Sequence, residues 1–280
     1  MQSTPLVSII TPVYNGVAYL DDLIISVRDQ DYPSIEHIII DDGSNDDGAT
    51  IAILKKYPHL RWWTRENKGQ YATMNEGLEA SKGEVLCFVS ADDLLMPGAI
   101  SKALAHLNAH QNERAVYGLA LLMGEDGSPY PVEPPFRRAS FRYYPYFSQV
   151  SHCSLYIYKK TLSEQKLQFR DDLRFVGDYD WLIRILKSRI EVGVINAPLS
   201  KIRIHALQTS TKHQPAMLSE QRKVYQAHGI SQFSFRFFTF FYVISHNTNK
   251  LRHAILSAGW AGVHDLFASW YAKRFSGKRA

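Results

Sequence analysis

The chain has 280 residues, 45% of them hydrophobic, with 32 Lys+Arg against 27 Asp+Glu for a formal net charge of +5. That length can bury a sizeable core, either as one α/β domain with an appendage or as two small domains, so no disulfide is needed to hold it. Only two cysteines occur, Cys87 and Cys153, both in apolar, strand-like contexts; they read as packing residues of a reduced, intracellular protein.

The first segment, MQSTPLVSII, has no basic n-region and no long apolar run, so a signal peptide is not expected. Four strand-like runs follow, LVSIITPVY, EHIIIDD, LRWWTREN and EVLCFVSADD, and they alternate with helical spacing near residues 17–31, 48–57 and 69–81. This β-α-β-α order predicts a mostly parallel sheet covered on both faces. In such sheets ligands collect beyond the carboxyl ends of the strands.

Two of those strands end on adjacent acids, Asp41 with Asp42 and Asp92 with Asp93. Mutually repelling carboxylates at two strand tips point to one shared site. The segment MPGAISKALAHLNAH predicts a helix opened by Pro97, and AVYGLALLM a strand. Residues 124–147, rich in Pro, Tyr and Arg, read as a long loop over a site. A strand at HCSLYIYKK, a helix at GDYDWLIRILKS and a strand at PLSKIRIH complete the pattern, with a boundary near residue 215.

No G-x-G-x-x-G and no G-x-x-x-x-G-K-[ST] follows a strand, so a dinucleotide fold or a P-loop lacks its phosphate cradle. A hard divalent cation can take that role, held by one or two carboxylates and the substrate's own phosphates. The stretch DDGSNDDG does not satisfy the spacing of a calcium loop, and a strand rather than a helix precedes it.

VSIITPVYNG, IIIDDGSNDDG, NKGQYATMNEGLEASKGEVLCFVSADD, GDYDWLIR and KIRIH, in this order and at these separations, resemble the motifs of the inverting glycosyltransferases of family 2, which have the GT-A fold. The resemblance covers about residues 6–210. Each motif alone is weak, but the ordered set is specific. It implies a GT-A fold, with a mixed, mostly parallel Rossmann-like sheet flanked by helices and a C-terminal helical extension. The corresponding domains are a catalytic domain over 1–215, divided into a nucleotide-sugar half (1–100) and an acceptor half (101–215), and an extension over 216–280.

The resemblance also implies site residues. Pro12, Tyr14, Asn15, Asp42, Gln70, Asp92 and Arg203 match donor-binding positions, with Tyr14 offering a stacking face and Asp42 a carboxylate to the pyrimidine ring. Asp41 is expected to cap locally with Ser44. Asp92, Asp93 and His205 match the metal site for Mn²⁺ or Mg²⁺, although Ser90 stands where the family's D-x-D has its first acid. Asp178 matches the base that takes the acceptor's proton, Asp180 is expected at the surface or as a cap, and His152 is expected on the acceptor side. Gly177 leaves the acid before Asp178 missing.

The implied reaction is transfer from a nucleotide-diphosphate sugar, with a UDP-sugar the expected donor, to a glycan or lipid-linked acceptor in polysaccharide or glycolipid synthesis. A nucleic-acid partner is not implied. Two alternatives stand beside it: a non-catalytic sugar-nucleotide or glycan-binding protein on the same fold, motivated by Ser90 and Gly177, and a nucleotidyltransferase, against which the first strand runs into TPVYNG rather than a basic glycine-rich loop.

Residues 231–280 hold seven Lys/Arg and one Asp, and seven aromatics fall within 233–242. Neither apolar run there reaches the roughly 20 residues of a membrane span. Trp260, Val263, Phe267 and Trp270 share a helical face, with Lys273, Arg274, Lys278 and Arg279 at its end. Two readings stand side by side: an interfacial helix on an anionic membrane, which would put a cytoplasmic protein on the inner face of the membrane, or packing against the domain or a homodimer contact.

Overall fold

A computed structural model of the chain describes residues 4–129, 150–206, 208 and 213–231. The expected loop over 124–147 is therefore described only to Pro129, and the basic aromatic tail, with both readings attached to it, lies outside the described residues beyond Ser231. Contacts divide the chain into two compact units, Met1–Ala227 and His228–Ala280, and the described strands and helices all lie in the first.

The elements in chain order are β1 (Val7–Val13), α1 (Leu20–Arg28), β2 (Ile35–Asp41), α2 (Ala49–Leu54), β3 (Arg61–Thr64), α3 (Gln70–Ala80), β4 (Val85–Phe88), β5 (Leu94–Leu95), α4 (Ala99–Ala109), β6 (Glu113–Met123), β7 (Leu155–Tyr158), α5 (Lys159–Glu164), α6 (Gly177–Lys187), β8 (Glu191–Arg203) and α7 (Gln214–Ala227). The strands form one sheet in the order β3-β2-β1-β4-β7-β6-β8-β5. β3, β2, β1 and β4 are mutually parallel, β7 enters antiparallel between β4 and β6, and β8 runs parallel to β6. This is the mixed, mostly parallel sheet flanked by helices that the sequence predicts.

Every residue of β1 is buried, which explains its unbroken apolar run: helices cover both faces and leave no solvent side to pattern. Val7 and Ile9 pack with Leu23 and Val27 of α1 and with Ile100, Ala103, Leu104 and Leu107 of α4. Leu20 and Ile24 of α1 join Ile39 of β2 and Ile53 and Leu54 of α2 in a second cluster. Val13 of β1 pairs with Asp41 of β2, which pairs with Thr64 of β3, so these three strands end together. Both acidic pairs follow strand ends at this edge.

The second half departs from expectation in three places. HCSLYIYKK is a short 3-10 turn (His152–Ser154), then β7, then the start of α5. β8 begins at Glu191, seven residues before PLSKIRIH; Asn196 and Pro198 and the register shifts against β6 hide it from a period-2 reading. α7 belongs to the first compact unit, and its Glu220 accepts hydrogen bonds from the backbone N–H groups of Arg174, Phe175 and Val176 at 2.7, 2.6 and 3.0 Å. These donors lead into α6 and have no helical acceptor of their own. Among the described residues, no helix is long and apolar enough to cross a membrane.

Candidate active site

The tip of β1 turns through Asn15, whose φ of 53° is a left-handed value that asparagine tolerates better than most residues. Its side chain is tied to the 43–48 turn: Nδ2 donates to Asn45 Oδ1 at 2.8 Å, and Oδ1 accepts from Asn45 N at 2.9 Å. Tyr14 donates to the same Asn45 oxygen at 3.2 Å and is 49% exposed, so its ring stands at the open edge. Pro12 is buried inside β1, opposite Ile40.

Asp41 accepts from Ser44 N and Oγ and from Thr64 Oγ1, the local capping expected of it. Asp42, 4% exposed, is bound more tightly. It pairs with Arg65 and accepts from Lys68 N at 2.8 Å and Gly69 N at 2.9 Å, just before Gln70 opens α3. Arg65 in turn donates to Glu76 at 2.7 Å and to Thr73 at 2.8 Å. Asp42 therefore clasps the turn into α3, and loss of Arg65 would strip a buried carboxylate of its counter-charge and leave it two backbone N–H donors, at a cost of up to about 3–5 kcal/mol. Arg65, Thr73 and Glu76 carry no signal in the sequence, since each is an unremarkable polar residue until its partner is placed.

After β4 the two carboxylates part company. Asp92 turns outward, with Oδ2 3.0 Å from His205 Nε2. Asp93 is 4% exposed, and its oxygens already accept from Arg203 N and Cys153 Sγ, both at 3.0 Å. Burial, reinforced by the charge of Asp92, pushes the Asp93 carboxyl up to about 7. Cys153 thus does more than pack, and it lies in the turn before β7 rather than in a strand.

Arg203 is also inward, at 3% exposure. Its guanidinium donates to the Asp92 carbonyl (3.1 Å), the Glu125 carbonyl (2.8 Å) and Asp22 (3.0 Å), and lies 4.5 Å over the Tyr19 ring. The structure brings Arg203 to the site as the residue that fixes the Asp92 backbone, with each guanidinium nitrogen engaged by protein.

Asp178 occupies the first turn of α6, where the helix dipole favours an anion. Tyr71 of α3 donates to its Oδ1 at 2.9 Å, and His152 Nδ1 lies 3.4 Å from its Oδ2. A third of the side chain stays exposed. Burial favours the neutral acid, but His152 and the Tyr71 hydroxyl outweigh it and hold the carboxyl below its ordinary value. Burial likewise opposes protonation of His152, yet the Cys153 sulfur and Asp178 hold the imidazole charged well above its usual range.

The far nitrogen of His152 meets Ser90 Oγ at 3.1 Å. A contiguous chain, Ser90–His152–Asp178–Tyr71, therefore joins the end of β4 to the start of α6. Both departures from the family pattern lie against it. Ser90 bonds the histidine, and Gly177 makes room for the Tyr71 ring, whose carbons lie 2.6–2.7 Å from where a Cβ at 177 would be.

Asp180, expected at the surface or as a cap, is instead 1% exposed. Arg184 donates to it at 2.7 Å and Arg170 lies 3.9 Å away, so two guanidinium groups compensate the burial. Trp181, stacked on Phe169 at 4.5 Å and edge-on to Phe88 at 5.4 Å, seats α6 against β4 and so sets where Asp178 falls.

The donor set at Asp92 and His205, one carboxylate oxygen and one imidazole, suits a divalent transition ion and less so magnesium. His205 Nδ1 is buried with no hydrogen-bond partner among the described residues, so it does not lock the ring's tautomer. These residues fit a metal that would take its remaining ligands from phosphate and water.

A family model described as Glycosyl transferase family 2 matches residues 8–163. An uncharacterized glycosyltransferase of Rickettsia felis is 33% identical over 216 residues, 74% of this chain and 36% of that protein. One of Rickettsia typhi is 32% identical over 213 residues, covering 74% and 66%. The putative teichuronic acid biosynthesis glycosyltransferase TuaG of Bacillus subtilis is 35% identical over 130 residues, 45% of this chain and half of its own. The chain thus spans between about a third and two thirds of the length of these relatives. Among solved structures, S. aureus TarS 1–349 in complex with UDP-GlcNAc superposes with a TM-score of 0.64 at 20% identity, over 78% of this chain and 65% of that one. The mannosyltransferase PcManGT from Pyrobaculum calidifontis, in complex with GDP-Man and Mn²⁺, gives 0.57 at 17% identity, over 82% and 65%. At these identities the likeness is one of fold.

Proposed function

The chain belongs to glycosyltransferase family 2, and from that membership we propose that it transfers a sugar, with inversion, from a nucleotide-diphosphate donor to a hydroxyl of a glycan or lipid-linked acceptor. The observation that carries this reading is Asp178, kept ionised and partly open beside the strand edge that bears Asp92 and His205.

The acceptor oxygen attacks the anomeric carbon while Asp178 takes its proton. A new carbon–oxygen bond forms on one face as the bond to the diphosphate breaks on the other, and the nucleotide diphosphate leaves with the electron pair. His152 and Tyr71 hold the Asp178 carboxylate in place for this. Tyr14, Asn15 and Gln70 line the nucleotide side, with Pro12 and Asp42 setting the backbone beneath it. Asp92 and His205 would hold a divalent ion, Mn²⁺ better than Mg²⁺, while Asp93 and Arg203 support Asp92 from behind. When bound, that ion supplies electrostatic stabilisation to the charge growing on the diphosphate.

Fold neighbours that hold UDP-GlcNAc and GDP-Man support a nucleotide-sugar donor, and a UDP-sugar remains the donor to try first. The putative teichuronic acid biosynthesis role in the name of the relative TuaG supports a polysaccharide or glycolipid acceptor. A cytoplasmic place, peripheral on an anionic membrane through residues 231–280, and the homodimer alternative rest on sequence alone.

The test is a panel of UDP- and GDP-sugars assayed for release of nucleotide diphosphate with and without Mn²⁺. Release that needs both the metal and Asp178 is expected. Binding of a donor with no turnover under any condition would instead support the non-catalytic reading that Ser90 and Gly177 motivate.

A further inference from the structure

At the end of β6 away from the candidate site, α4 closes into that strand through a tight turn. His110 N donates to the His106 carbonyl at 3.0 Å, and Glu113 N donates to the His110 carbonyl at 2.9 Å. This turn gathers three ligand-type side chains from one short stretch. His106 Nε2 lies 2.8 Å from Glu113 Oε2, the two imidazole rings stack with centroids 4.2 Å apart, and one ligand atom from each of His106, His110 and Glu113 falls within 4.8 Å of the others.

We propose that His106, His110 and Glu113 form a divalent-metal site of the zinc class, which staples the end of α4 to the start of β6. Two imidazoles and a carboxylate are the ligand types that Zn²⁺ takes at about 2.0–2.2 Å, and two such ligands on a tetrahedral ion lie about 3.3 Å apart. Closing the observed set around an ion therefore needs only small rotations of exposed or half-buried side chains. Oxygen-preferring ions such as Ca²⁺ and Mg²⁺ find too few oxygens here.

A His106–Glu113 ion pair alone accounts for two of the three residues. It leaves two features unexplained. His110 bonds the His106 carbonyl through Nδ1, at 3.0 Å, which orients its ring and leaves Nε2 as the atom that can ligate. Gly193 of β8 provides the floor, where a Cβ would collide with Glu113 Oε2 and lie 2.5 Å from His106 Nε2. Opposite it, the β6–β8 register shifts between Glu113 and Ala115, the irregularity that re-aims a strand-end side chain.

The site would be structural. Glu113 opens β6, whereas Met123 at the other end pairs with Arg203, and ten strand residues span about 30 Å. Three protein ligands leave the fourth position to water, so it is the distance from the candidate site, not closed coordination, that makes the role structural.

The proposal is independent of the glycosyltransfer reading, and its test uses the full chain and Zn²⁺ alone. Titration calorimetry should show a Zn²⁺ site that persists in His205→Ala and is at least about tenfold weaker in His110→Ala, a loss of 1.4 kcal/mol or more in binding. Co²⁺ in place of Zn²⁺ should give visible absorption with the same dependence. Among the described residues the exposed His110 side chain bonds the His106 carbonyl and stacks on the His106 ring, so its removal costs one surface contact and leaves the core of the fold untouched. Equal Zn²⁺ affinity in wild type and His110→Ala would overturn the proposal, as would absence of Zn²⁺ binding in His205→Ala, which would reduce the cluster to an ion pair.

Discussion

His152 and Asp178 meet at 3.4 Å although one lies in the turn before β7 and the other in the first turn of α6, and each shifts the other's proton affinity toward the charged form. If Asp178 is the base, Asp178→Asn removes the proton acceptor and leaves shape and donor contacts intact. We expect kcat to fall at least about a hundredfold, with nucleotide affinity nearly unchanged by calorimetry. Near-normal transfer by this variant would remove Asp178 from the reaction.

His152→Asn keeps a hydrogen-bonding side chain toward Ser90 but removes the cation beside Asp178. The sign follows from the pair: His152 holds the Asp178 carboxyl low, so without it the carboxyl rises and the acidic limb of the kcat–pH profile moves to higher pH. An unmoved limb would show that the histidine does not tune the base.

Chelation should weaken binding of the nucleotide diphosphate, and Asp92→Ala should reproduce that loss in the presence of Mn²⁺. Asp92 is the informative position, because Asp93 is buried and already bonded through both oxygens. Equal affinity with and without Mn²⁺ in the wild type would contradict a metal bridge to the diphosphate.

Gly177→Ala places a methyl group against the Tyr71 ring. Such overpacking costs about 1–3 kcal/mol, read as a lower Tm. Tyr71→Phe keeps the ring and removes only the hydroxyl, so it should change stability by about 1 kcal/mol while still lowering kcat. Unaltered stability in Gly177→Ala would mean that the ring is not confined as described.

His37 is buried, with Nε2 3.1 Å from Thr11 Oγ1, and burial pushes its pKa from 6.5 down to about 3. The folded chain therefore binds fewer protons than the unfolded one between those values. Stability is full above pH 6.5 and falls as the pH drops toward 3, by about 1.4 kcal/mol per unit for this one group. His37→Gln should flatten the urea-midpoint profile across that window.

Strand ends were the legible part of the sequence. Apolar runs closed by paired acids mark β2 and β4, and ordered motifs mark the family, because backbone pattern and motif spacing are local properties. The partners that set each carboxylate's chemistry are not local. Arg65 for Asp42 and Tyr71 for Asp178 come from a loop and a helix face, where one polar residue looks like another; Arg203, named from KIRIH as a donor contact, instead holds the Asp92 carbonyl from a distant strand. Asp180 shows the same limit, since a helix-start aspartate reads as surface until Arg170 and Arg184 are seen to neutralise it.

The antiparallel docking of β7 beside β4 acts as a ruler. Val85 lies opposite Tyr158 and Leu86 opposite Ile157, which brings the residues after β4 level with those before β7 and lets Ser90 reach His152. A slip of one residue in this pairing would shift His152 by about 3.3 Å along the strand and turn alternate side chains to the other face. The distance from the donor side to the base is thus set by counting residues in two short strands. A single-residue insertion between His152 and Leu155 should be more damaging than most substitutions there, since no exchange of side chains can restore a lost count.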